Sequence, residues 1–283
     1  MMVEDDFKIE IRGYGKEYFD HTIFNLLEDA HQFYNFLSDR SFDFANGCLI
    51  TGTLSFNSNV YASLAGTIES IQLLSLAGRL NDAFALARKF EDAVLIDIYK
   101  TILLNKEESK LTDTDCDLKD ILDDSIIRSW TRDTYKLFKV GDLKKIKTII
   151  AAEDRKLSEL IQFEQDPFRD ICNNNVHYNS WNNFSLNVPE YLKINHIGVD
   201  TLNDLHKVVL RIFVIHFSFL YIQHPEYYSS CDYIYALEEG RIPVEGSQYW
   251  VASIVQDVFD RQIKLSYKGV AEYLAKLNLM ELE

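Results

Sequence analysis

The chain has 283 residues, 47% of them hydrophobic and 13% aromatic, enough to bury a substantial core. Its 29 basic residues face 44 acidic ones, a formal net charge of -15, so the average surface repels nucleic acid and suits a basic protein partner. Cys48, Cys116, Cys172 and Cys231 are scattered without a CxxC pair, and the acidic opening Met-Met-Val-Glu-Asp-Asp is unlike a signal peptide, which together predict reduced thiols in a cytoplasmic protein.

Only four prolines and eleven glycines interrupt the chain, and apolar residues recur at three- and four-residue intervals. The expected fold class is therefore all-α, a single helical domain over residues 1–283. Phe7 to Arg12 alternates like a short strand. Phe19, Ile23, Leu26, Leu27, Ala30 and Phe33 then suit an amphipathic helix. A long helix follows through Tyr61, Leu64, Ala65, Ile68, Ile71 and Leu74, ending near Gly78. The next begins near Asn81 and carries Phe84, Leu86, Ala87, Phe90, Val94 and Ile98 towards Asn105, making a long antiparallel helix pair with its predecessor. Asn105 to Asp117 reads as a loop, followed by shorter helices to about Phe138 and a Lys-rich helix from Gly141 to Phe163.

Asp166-Pro167 has the form of a helix start, with Asp as N-cap and Pro at the first helical position. The Asn-rich stretch through Asn183 reads as a loop. Val208 to Ile222 is strongly apolar but contains Arg211 and His216 and is shorter than a spanning segment, which predicts a buried core helix and no membrane anchor. A Tyr-rich segment starting at Pro225, a turn from Gly240 to Gly246 and a last helix from Gln248 to about Leu265 complete the C-terminal extension over 225–283.

Several motifs fall to simpler readings. The run Asp113 to Asp124 places carboxylates like a calcium loop but has Leu118 where the sharp turn needs glycine, so it reads as an acid-rich helix start. His196, His206, His216 and His224 lack zinc-site spacing and read as structural. Neither a phosphate-binding glycine loop nor a GxSxG elbow occurs, and no cofactor or metal is expected.

One compact candidate site remains. Arg169, Asn173 and His177 stand at successive four-residue steps, so on a helix they project a cation, an amide and an imidazole from one face, drifting by about 40° per step. Phe168, Cys172 and Val176 form an apolar face beside them. Arg88 either pairs with Glu91 or Asp92 on its own helix or faces this row and completes a polar cluster.

The segment Ala-Gly-Arg-Leu-Asn-Asp-Ala-Phe-Ala-Leu-Ala-Arg88-Lys-Phe-Glu91, with Cys172-Asn173-Asn-Asn-Val-His177 downstream, resembles the all-helical HEPN superfamily over residues 60–220. Many members are prokaryotic defence or toxin ribonucleases, whose motif is an Arg, a polar residue and, a few positions on, a His. Asn173 matches the polar residue and His177 the histidine, whereas Cys172 occupies the arginine position. The resemblance implies metal-independent RNA cleavage across a homodimer, with His177 moving a proton, Arg169 or Arg88 holding the phosphate and Asn173 orienting one of them. It further implies an RNA substrate and an antitoxin or other protein partner. The alternative is a non-catalytic helical interaction protein, in which the Arg/Asn/His cluster is a satisfied structural network.

Overall fold

The computed structural model describes residues 14–46, 51–111, 142–165, 167–177, 180–194, 196–277 and 279–283. The strand-like reading of Phe7 to Arg12, the acidic run Asp113 to Asp124 and the helices expected up to Phe138 lie outside them, as do Cys48 and Cys116. Among the described residues the fold is all-α, and the only β pairing is one isolated antiparallel bridge between Ser229 and Val251.

Four long helices make the body: α2 (Thr22–Asn46), α3 (Thr51–Leu76), α4 (Leu80–Leu111) and, after a run of short helices, α10 (Ile197–Gln223). Phe19 belongs to a separate single turn, α1 (Lys16–Phe19), before α2. The predicted antiparallel pair is α3 and α4, and Gly78 makes the turn between them at φ 69°, a left-handed value that side chains with a Cβ resist. The α4 helix runs on to Leu111, through the stretch read as a loop from Asn105, because Lys106-Glu-Glu-Ser-Lys-Leu consists mostly of good helix formers. Lys106 also reaches Glu153 at 2.9 Å.

The Lys-rich helix expected from Gly141 to Phe163 is two helices, α5 (Leu143–Glu153) and α6 (Arg155–Leu160). Asp154 breaks it. Its backbone is extended, and its carboxylate accepts the Leu157 N–H at 2.8 Å, so it serves as the N-cap of α6. The next helix, α7 (Arg169–Val176), begins two residues later than its Asp-Pro signal implies: Pro167 lies in the preceding turn, and Phe168 stands at the N-cap without a side-chain cap. The role predicted for Asp166 falls outside the described residues. Asn-rich sequence that read as loop contains α8 (Trp181–Ser185), because Ser180 accepts the Asn183 N–H and caps it. A single turn, α9 (Pro189–Leu192), leads into α10.

The α10 helix is apolar on every side and buried from Val208 to Tyr221, packed against α2 and α4. It is the one described helix long and apolar enough to cross a membrane, and 78% of its most apolar window is buried inside the protein. Phe33 of α2 stacks or meets edge-on with Phe213, Phe217 and Tyr228, giving the core an aromatic centre.

Beyond α10, a 3-10 turn over Pro225–Tyr228 precedes α11 (Cys231–Glu238). The single last helix expected from Gln248 to Leu265 is instead a 3-10 turn (Ser247–Tyr249), then α12 (Ser253–Val258) opening into a π turn (Phe259–Lys264). A further helix, α13 (Lys268–Lys276), follows. In the wide π turn, the consecutive Arg261 and Gln262 both reach the buried Asp29 carboxylate, at 2.8 and 2.6 Å. One continuous apolar core joins residues from Tyr18 to Leu282.

Candidate functional site

The α7 helix lies against α4 and is fastened there by charge. Arg169 donates to Glu91 Oε2 at 2.7 Å and to Asp92 Oδ1 at 3.2 Å. Arg88 Nε donates to Asn173 Oδ1 at 2.9 Å, while its Nη1 makes a charge contact with Asp92 that is not aligned as a hydrogen bond. Lys147 of α5 reaches the other oxygen of Glu91 at 3.3 Å. The side chains of Arg88, Glu91, Lys147 and Arg169 are only 12–16% exposed, so these pairs are screened less than surface ones. Both readings of Arg88 hold together: it pairs within its own helix and also faces the Arg169/Asn173 row.

Three of the four candidate residues thus meet. His177, one turn beyond Asn173, is the C-cap residue of α7 and is exposed; among the described residues it has no hydrogen-bond or ion-pair partner. The apolar face holds for Phe168, which packs on the core, and for Cys172, which is buried, but Val176 is 42% exposed. Beside the cluster is a pocket of about 20 Å³, bordered by Glu91, Lys147, Phe163, Arg169 and Arg211. It has room for a water and not for a nucleotide.

The Asn-rich segment has a structural use. Asn81 donates to the Asn175 carbonyl at 3.1 Å and Asn183 to the Asn174 carbonyl at 2.7 Å. At the start of α4, the N–H of Leu80 donates to Leu186 O and that of Asp82 to Asn187 Oδ1. The residues after α7 therefore cap the helix on which α7 rests, satisfying donors that a helix start leaves open.

Sequence reasoning missed the most deeply buried polar group of the described residues. His216 of α10 bonds Asp97 Oδ2 through Nε2 at 3.0 Å and the Tyr34 hydroxyl through Nδ1 at 2.9 Å. Lys100 donates to Asp97 Oδ1 at 2.5 Å and to Asn57 Oδ1 at 2.6 Å, and Asn57 donates to the Tyr227 hydroxyl at 3.0 Å. All six are buried, and they link α2, α3, α4 and α10. Burial alone would raise the Asp97 carboxyl, but the Lys100 ammonium and the His216 bond outweigh it and hold the carboxyl well below the ordinary carboxylate range. The available signal was Asp97 and Lys100, three residues apart on the apolar face of α4, together with His216 in the apolar run of α10.

Arg211, the other charge in that run, is a buried fastener. Its guanidinium donates to the carbonyls of Ile161, Gln162 and Gln165, closing the turn after α6, where Gln162 has a left-handed φ of 51°.

No protein-family model, curated protein or solved structure matches this chain. The resemblance to the HEPN superfamily therefore rests on the two segments that carry it.

Proposed function

We propose that this protein is a non-catalytic helical interaction module, in which the Arg88/Glu91/Asp92/Arg169/Asn173 cluster clasps α7 and its following loop to α4. The observation that carries the reading is the pairing of both arginines with carboxylates: Arg169 spans Glu91 and Asp92, and Arg88 is held between Asp92 and Asn173. A phosphate bound by either guanidinium would have to displace those carboxylates and leave them unpaired in a mostly buried place, which is costly. Beyond the clasp, Trp181 and Phe184 on α8 are 82% and 53% exposed, apolar surface of the kind a protein partner covers.

The test is a set of melting curves. Arg169→Ala and Asn173→Ala should each lower the melting temperature by several degrees, at about 2–4 °C per kcal/mol for a chain of this size, because each leaves a partner unsatisfied. His177→Ala should leave it unchanged. The reverse order, with His177→Ala the destabilising variant, would contradict the clasp.

A second reading, metal-independent RNA cleavage, draws on one observation: His177 is exposed beside a cluster whose three cations outnumber its two carboxylates. It would need a second protomer to supply a group opposite His177.

A further inference from the structure

The surface around Trp250 combines exposed apolar side chains with an excess of negative charge. Ile242 is 95% exposed and Val244 66%, and with Tyr235 and Trp250 they line a groove of about 430 Å³. Trp250 also borders a second groove of the same size. The ring therefore stands as a ridge between two hollows. Its backbone is fixed on both sides: Ser230 N–H donates to Trp250 O at 2.7 Å, Ala252 N–H to Tyr228 O at 2.8 Å, and Glu281 N–H to Tyr249 O at 2.8 Å. Such a surface is preorganised for binding.

The charges on these walls are unequal. Asp232 and Glu239 lie in the first groove and Asp260, Glu281 and Glu283 in the second, five carboxylate side chains against the two cations Arg241 and Lys264. Both cations are already joined to neighbours, Arg241 to Glu239 and Lys264 to Asp260.

We propose that this double groove docks a segment of a partner protein that carries lysine or arginine beside bulky apolar residues. The apolar residue would sit against Ile242, Val244 and Trp250, and the cations would meet the carboxylates along the rim. Charge decides the occupant. A second copy on a two-fold axis would bring this acidic face against itself, and a polynucleotide or anionic lipid surface would be repelled. The inference rests on the interaction-module reading and names the chemistry of its partner.

The test is titration calorimetry on the full chain with three synthetic peptides: an amphipathic one of lysine and leucine, its glutamate and leucine counterpart, and a lysine and serine peptide of equal charge. The lysine and leucine peptide should bind most tightly and lose affinity as salt rises, and the glutamate and leucine peptide should not bind. Ile242→Ser combined with Val244→Ser, at exposed positions that leave the fold intact, should weaken binding about tenfold. Glu281→Lys should weaken it further. Equal binding by wild type and the double variant, or equal binding of the lysine peptides with serine or leucine, would overturn the proposal. So would a wild-type dimer that Ile242→Ser dissociates, which would assign the face to a second copy. None of these outcomes touches the melting curves of the α7 clasp, so failure of the groove and failure of the interaction-module reading remain separate results.

Discussion

At the scale of single residues, the protein keeps its charges inside and in pairs. Asp97, Lys100 and His216 are each at most 1% exposed, a placement that is stable only because every member has a partner. Asp97→Asn would leave the Lys100 ammonium buried without its counter-charge, at a cost of about 3–5 kcal/mol at neutral pH. The same carboxyl fixes the acid response. Its folded-state value lies below the ordinary one, so its contribution to stability is present above about pH 4 and is lost as the pH falls further towards the folded value. Denaturant titrations of wild type and Asp97→Asn should therefore differ by a constant amount from pH 7 to about pH 5 and converge below about pH 4. A gap that stays constant to the lowest pH would show that the Asp97 charge does not contribute to stability. Little of this network was legible in the sequence. His216 sat in an apolar run as a lone histidine, and its partners lie 119 and 182 positions away, a separation no local pattern reports.

At the scale of elements, local chemistry predicted the long helices and failed where one residue overrode a longer trend. The α3–α4 hairpin was readable because Gly78 ends one apolar periodicity just before another begins. Gly78→Ala tests that turn twice over. The residue has φ 69°, and an added Cβ would fall on the hydroxyl of Tyr14. The variant should lose about 1–3 kcal/mol from backbone strain alone, more from the clash, and regain part of the loss when Tyr14 is also changed to Ala. No recovery in the double variant would mean that the Tyr14 contact contributes nothing. By contrast, the break at Asp154 was hidden inside a uniformly Lys-rich pattern, because N-capping depends on a backbone angle that composition does not encode. Ser180 hid α8 in the same way, within asparagines that favour loops. Of the candidate site, the helical row predicted the meeting of Arg169 and Asn173 with Arg88. It also placed His177 on that row, where the helix ends and the side chain turns to solvent.

At the scale of the whole molecule, the charges follow one division. Cations near α4 and α7 are drawn into buried pairs, while surplus carboxylates remain on the surface, including the walls around Trp250. A chain of net charge -15 arranged this way favours a basic protein partner over a polynucleotide. The resemblance to HEPN ribonucleases points the other way, to RNA cleavage by His177 with an arginine. The most direct measurement is incubation of the purified wild-type protein with end-labelled single-stranded and stem-loop RNA in chelator, with products resolved by length. The clasp predicts that the RNA stays intact at every protein concentration. Fragments ending in a cyclic phosphate, made by wild type and absent with a folded His177→Ala variant, would contradict it.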